Sequence, residues 1–246
     1  SNLKAVLKST IDEKNPKIDF EAMHQIVENT CDAYLGKTPD KFNYKGKEYT
    51  PKTYSEALGI NPDDYIILTS FSHHPFYSKF VLEIPDNWNW ELANNVPLND
   101  LQETMQYAIN NGYTIAWGAD ISEKGFRFKD GLALVPQTPF QEMTEEQKLD
   151  MVKKPQPQLA ITQELRQQAF NNYETQDDHG MHIVGIAKDQ LNTSYYIVKN
   201  SWGKDRNECD GYFYASENYV LYKTTSIMIH KKGLPSSIAK KLGITQ

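Results

Sequence analysis

The sequence predicts an α+β protein, helical over its first 64 residues and strand-rich beyond them. Three observations carry that prediction. Apolar side chains recur at helical spacing within residues 19–35 (Phe20, Met23, Val27, Cys31, Tyr34) and again after Asn99 (Leu101, Met105, Ala108, Ile109). Residues 183–187 and 195–198 form two alternating runs on either side of a turn, the pattern of an antiparallel hairpin. Further apolar runs at 65–70, 79–84, 113–120 and 224–230 supply the remaining strands.

The elements follow in order. Leu3, Val6 and Leu7 start a helix-like pattern. In the next helix Asp19 stands at the N-cap position and Gly36 at the stop, and one face is expected to be buried. Residues 37–50, rich in Lys, Asp, Gly and Pro, read as an exposed loop or ribbon. Thr53 with Glu56 three residues on has the form of a capping box for a short helix ending at Gly59. The runs at 65–70 and 79–84 bracket Phe71-Ser72-His73-His74-Pro75, and an aromatic loop with Trp88 and Trp90 follows. Asn99 is the expected cap of the helix that Gly112 ends, and 113–120 reads as a buried strand. Two helices are expected within 137–174, the first begun by Thr144 and Gln147. After the hairpin, 213–215 and 224–230 complete the sheet and 236–242 forms a last helix.

Composition bounds the partners. A chain of 246 residues, 39% of them hydrophobic, can bury a proper core. Its net charge of -6 gives no reason to expect nucleic acid or anionic membrane as a partner, since phosphate binding needs clustered Lys and Arg and the short pairs Lys231-Lys232 and Lys240-Lys241 read as solvated surface. No run reads as a membrane span or a signal peptide, so a cytoplasmic location is expected. The two cysteines, Cys31 and Cys209, lie far apart and make no disulfide framework. A start at Ser1-Asn2 reads as a vector remnant joined to the interior of a longer protein.

Chemistry concentrates where the hairpin would bring His179 to Asn200. Taken singly, a histidine at a strand start and an asparagine in a turn are commoner as structural residues. Together they can serve a thiol: a neutral imidazole takes its proton, and an amide oxygen bonded to the other ring nitrogen fixes the tautomer. A metal site at His179 and His182, beside Asp177 and Asp178, is disfavoured, because residues three apart on a strand face opposite sides and no Glu-containing helical zinc motif is present. His73 and His74 read as loop residues making polar contacts or an aromatic stack, and His24 and His230 as surface or boundary residues.

Asp178-His179, Val184-Gly185, Asn200-Ser201-Trp202-Gly203 and Gly211-Tyr212 stand in the order of the same motifs in papain-like cysteine peptidases, and this chain resembles that family. The resemblance implies a papain-like fold, whose barrel-like antiparallel half carries the histidine and asparagine. It implies peptide substrates and no cofactor or metal. It also makes His179 the base, Asn200 its orienter and Trp202 the indole that shields their hydrogen bond from water. Ala116, Trp117, Gly118 and Ala119, with Asp178 and Gly180, would bind substrate, and Phe126, Phe128 and Gly131 fit the loop between that strand and the histidine segment.

The run from Cys31 to Gly36, then Pro39, Phe42, Thr50-Pro51 and Tyr54, is similar to the bleomycin hydrolase and bacterial aminopeptidase C branch. So are Trp117-Gly118-Ala119-Asp120 and residues 229–238. Residues 1–64 would then be a helical insertion region and 65–246 the β-rich catalytic half, with a helical insert at 137–174. The full-length protein would be a homo-oligomer. In that branch the last residues extend into the cleft; this chain stops at Gln246, so a shorter arm and a weaker restriction to N-terminal residues are expected.

The nucleophile is the gap. A reactive thiolate is favoured at a helix N-terminus. Cys31 falls near the end of its helix beside Asp32, and Cys209 between Glu208 and Asp210; neither matches the family's Gln-Gly-x-Cys-Trp setting. The chain therefore reads as the C-terminal part of a thiol aminopeptidase whose cysteine lies in a missing N-terminal part. The alternative is a non-catalytic domain that keeps the half-site as a peptide groove.

Overall fold

The computed structural model describes residues 2–12 and 20–246. They fall into two compact units, Ser1–Asn61 and Pro62–Gln246. In the first, helix α1 (Asn2–Asp12) packs on α2 (Phe20–Leu35), a small hairpin follows (β1, Phe42–Tyr44; β2, Lys47–Tyr49), and α3 (Pro51–Ala57) closes the unit. Asp19, the expected cap of α2, lies outside the described residues. Gly36 ends α2 as expected, with φ 84° and its N–H donating to the Asp32 carbonyl at 2.9 Å.

Two expectations here are corrected. No residue of α2 is buried: the face with Met23, Val27 and Cys31 is only half-buried, and Phe20 is 79% exposed. A layer of two helices is too thin to enclose that face. The capping box belongs to Thr50 rather than Thr53: Thr50 Oγ1 accepts from the Thr53 N–H at 3.2 Å, and Thr53 Oγ1 accepts from the Thr50 N–H at 2.9 Å. Pro51, which needs no N–H partner, sets the first helical position.

The second unit is built on one sheet. Its strands are β3 (Tyr65–Thr69), β4 (Lys79–Val81), β5 (Leu92–Asn95), β6 (Ile115–Ala119), β7 (Phe126–Arg127), β8 (Leu132–Ala133), β9 (His179–Lys188), β10 (Ser194–Lys199), β11 (Tyr212–Ser216) and β12 (Thr224–His230). They lie in the order β4-β5-β3-β12-β6-β9-β10-β11-β8-β7, antiparallel except at β3 with β5 and β8 with β11. Helices α4 (Leu98–Asn110), α5 (Glu145–Asp150), α6 (Gln163–Asn171), α7 (Glu217–Lys223) and α8 (Ser236–Leu242) accompany it. The main core joins Leu101, Met105 and Ala108 of α4 to Ile115 and Trp117 of β6 and to Ile183, Val198 and Phe213 of the sheet. Helix and strand periodicities thus converge on one apolar interior.

Three local features were not foreseen. Strand β5 reads LANN, and asparagine seldom marks a strand; here Asn94 Nδ2 donates to the Ile67 carbonyl of β3, and buried Asn95 ties down the preceding loop. Helix α7 is seven residues long, too short for a clear period, and is capped by Ser216. Helix α4 begins after Pro97 without a side-chain cap, so Asn99 does not cap it; Gln163 Oε1 accepts the Leu98 N–H at 2.8 Å from 65 residues away. The cap at Thr144 is present with Gln147 as its partner. Among the described residues no helix is long and apolar enough to cross a membrane.

Candidate active site

His179 is the first residue of β9 and pairs with Ala119 of β6. The β9–β10 ladder ends at His182 opposite Lys199, so the residue after β10, Asn200, returns beside the start of β9. His179 Nε2 lies 2.8 Å from Asn200 Oδ1. The Ser201 N–H also meets Asn200 Oδ1, at 2.7 Å. A backbone N–H can only donate, so that atom is the amide oxygen, and a histidine nitrogen facing it must carry the proton. In the neutral ring the lone pair is then on Nδ1. Asn200 is buried, and its Nδ2 has no partner among the described residues.

Trp202 covers this pair, its ring 5.2 Å from that of His179, and it is itself wedged edge-on against Phe128 at 5.0 Å and Phe126 at 5.9 Å. Gly131 has φ 72°, which lets the segment carrying both phenylalanines turn into β8. The loop after Asn200 is drawn closed at Gly211, whose carbonyl accepts the Asn200 N–H at 3.1 Å. Asn207 secures it: its Nδ2 donates to the Phe128 and Tyr212 carbonyls, and its Oδ1 accepts from the Cys209 and Gly211 N–H groups. Sequence reasoning missed Asn207, which sits in a polar turn with no motif to single it out.

A groove of about 650 Å³ runs beside Asn200. Ala116, Trp117, Gly118 and Gly180 line it, together with Ser226 and Met228 of β12. Ala119 is fully buried and does not line it. Asp178 is also elsewhere: its carboxylate accepts from the Ile121 N–H at 3.4 Å and meets Asp120. Ser226 and Met228 were not singled out, because nothing in a sequence shows that β12 lies next to β6.

The Asp120–Asp178 pair divides its charge unevenly. Burial pushes Asp120 up, yet the Ser122 hydroxyl, the Gln176 and Ser122 N–H groups and the Lys223 ammonium outweigh it and hold the carboxyl below the usual range. Burial and the neighbouring Asp120 carboxylate push Asp178 up. Lys223, fully buried, lies 4.0 Å from Asp120 and 2.6 Å from Glu123.

Cys209 Sγ packs against Gly131, where an added β-carbon would come within 2.8 Å of it, and its N–H is held by Asn207. Within the second unit Cys209 makes no hydrogen bond to His179, whose one ring-nitrogen partner among the described residues is Asn200. Gln246 Nε2 donates to the Leu234 carbonyl at 2.6 Å and to the Lys231 carbonyl at 3.2 Å, so the last residue is folded onto the start of α8.

Comparison with known proteins gives a consistent set of likenesses. A model of the Peptidase C1-like family matches residues 3–245. Aminopeptidase G of Lactobacillus delbrueckii subsp. lactis is 25% identical over 210 residues, covering 84% of this chain and 44% of that protein. Aminopeptidase C of Lactococcus lactis subsp. cremoris is 25% identical over 227 residues, covering 86% of this chain and 48% of its own length. The crystal structure of PepW from Lactobacillus rhamnosis superposes with a TM-score of 0.65 at 19% identity, over 98% of this chain and 55% of that one. The chain spans about half the length of the curated relatives it matches.

Proposed function

The chain belongs to the Peptidase C1-like family and has the papain-like fold, and with that as premise we propose that it is the histidine- and asparagine-bearing part of a thiol aminopeptidase. The nucleophilic cysteine comes from a segment outside these 246 residues. One observation carries the proposal: Asn200 Oδ1 is oriented by the Ser201 N–H and holds His179 Nε2 at 2.8 Å, which makes Nδ1 the basic nitrogen of the neutral ring.

In the proposed cycle Nδ1 takes the thiol proton and the sulfur attacks the substrate carbonyl carbon. The tetrahedral adduct collapses to a thioester as the leaving amine takes the proton from Nδ1–H. Water, deprotonated by the same nitrogen, then hydrolyses the thioester and regenerates the thiol. Asn200 keeps the ring from turning through both half-reactions. Trp202 keeps water from competing for the Nε2–H bond in a setting of lower dielectric. The groove floor of Ala116, Gly118 and Gly180 leaves room for a substrate side chain, and Met228 offers it an apolar contact. The names of the relatives support action at free N-termini.

The test is hydrolysis of paired fluorogenic amides, one with a free α-amine and one N-blocked, by the full-length protein and by its His179→Ala variant. Turnover of the free amine alone, lost in the variant, is the expected result. Equal cleavage of both amides would remove the aminopeptidase assignment, and full activity in His179→Ala would remove the base. Peptide binding by the full-length protein with no turnover at all would favour a binding domain instead.

A further inference from the structure

Away from the hairpin, His73, His74 and Glu83 come together, and we propose that they form a binding site for a divalent transition-metal ion of the zinc type. His73 Nε2 lies 3.4 Å from Glu83 Oε2, and His74 Nε2 lies 3.2 Å from Glu83 Oε1. One ligand atom from each residue falls within 4.8 Å of the other two. Zinc bonds of about 2.0–2.2 Å in a tetrahedron place neighbouring ligand atoms about 3.3–3.4 Å apart, so each histidine nitrogen already stands at an edge distance from the Glu83 carboxylate, one from each of its oxygens. The Glu83 side chain is 56% exposed, which lets its carboxylate turn to present one oxygen to both nitrogens.

The two imidazoles are preset by packing. His74 stacks on the buried Phe80 ring at 4.3 Å and 24°, and His73 lies parallel to Phe170 at 5.6 Å and 17°. Their backbone is fixed by Asn95, fully buried, whose Nδ2 donates to the carbonyls of Phe71, His74 and Pro75 and whose Oδ1 accepts the Phe71 N–H. A ligating imidazole donates its second N–H to a fixed acceptor. Gln167 stands at His73 Nδ1 with Oε1 at 3.4 Å and Nε2 at 3.1 Å, so it can serve either tautomer. Its amide is anchored in turn by the Ser72 N–H and by Asn171.

The donor set selects the ion. Two neutral imidazoles and one carboxylate carry a single negative charge, and nitrogen-rich sets favour zinc, nickel or copper over magnesium and calcium. Three protein donors leave a position for solvent. All three residues belong to the Pro62–Gln246 unit, and none is part of the proposed catalytic pair. The sequence shows the adjacent histidines but not Glu83, which only the return along β4 brings to them.

The experiment is calorimetric titration of the untagged, chelator-treated chain with Zn²⁺, alongside Co²⁺ absorption spectra. One ion per chain is expected, with a visible band from a low-symmetry cobalt centre. Glu83→Gln, on an exposed side chain that leaves the fold intact by circular dichroism, should weaken binding at least ~10-fold, as loss of even a supporting residue does at metal sites. His74→Ala should do the same, and His182→Ala should not. No saturable binding, or binding that survives both Glu83→Gln and His74→Ala, would overturn the site.

Discussion

Gly211 lies so close to Gly203 that a β-carbon on it would stand 2.9 Å from the Gly203 carbonyl oxygen, and its φ is 82°. This approach closes the loop that carries Trp202 and brings the Gly211 carbonyl to the Asn200 N–H. Gly211→Ala therefore meets two costs, about 1–2 kcal/mol for a left-handed backbone and the displacement of the facing strand of the loop. The variant is expected to lower the melting temperature and, on the proposed function, the turnover of the full-length protein. Gly36→Ala is the control: its φ is also positive but nothing stands within 4 Å of the added carbon, so only stability should fall. Equal loss of turnover in the two variants would separate Gly211 from the site.

Asn200→Ala frees the His179 ring to rotate and to hold either tautomer. General-base assistance is worth about 10²–10⁴ in rate, and the variant should lose a large part of it from kcat, with KM changing less. Trp202→Gly leaves the hydrogen bond in place but admits water, so its loss should be smaller. Steady-state kinetics on the full-length protein decide both. Unchanged turnover in Asn200→Ala would remove Asn200 from the mechanism.

The pairing of His179 with Asn200 was legible because a strand, a turn and a strand fix where two residues meet. The Asn-Ser-Trp-Gly motif also places Ser201 and Trp202 without any long-range knowledge. What was not legible depends on partners remote in sequence. Asp178 belongs with buried Asp120, 58 residues earlier, and so turns away from the groove in which it was expected. Met228 enters that groove only because β12 inserts beside β6. The α2 face has a clear period, yet periodicity reports which residues share a side and not how much lies over them.

The acidic pair gives opposite pH responses. Asp120 has its pKa lowered in the folded state, so its contribution is complete above the ordinary value of 3.8 and is lost as pH falls through the lower folded value. Asp120→Asn should destabilise the protein at neutral pH by roughly 3 kcal/mol, the scale for removing one member of a buried charge pair, since the buried Lys223 ammonium then keeps the Glu123 carboxylate and the Glu174 carbonyl but loses the buried charge beside it. The gap from wild type should narrow as pH falls below 3.8. Asp178 is raised instead, a penalty present above its folded pKa and relieved as pH falls, so Asp178→Asn should be neutral or stabilising at pH 7. Urea denaturation across that range checks both signs, and a destabilised Asp178→Asn would contradict the assignment.

The 246-residue chain alone is expected to hydrolyse no peptide. A triad without its nucleophile keeps at most the weak acceleration of its binding and base groups. Cys209 cannot substitute, because its sulfur is packed on Gly131 and its backbone is fixed by Asn207 in the same loop that sets Trp202. Cys31 lies on α2, in its last turns, away from the helix N-terminus where a nucleophilic cysteine is usually set. Fluorogenic amides with the purified chain, before and after thiol alkylation, provide the measurement. Background rates in both samples are expected, and the full-length protein under the same conditions should turn over and lose its activity on alkylation. Turnover by the isolated chain that alkylation abolishes would make Cys31 or Cys209 the nucleophile, and Cys31→Ser and Cys209→Ser would then identify which.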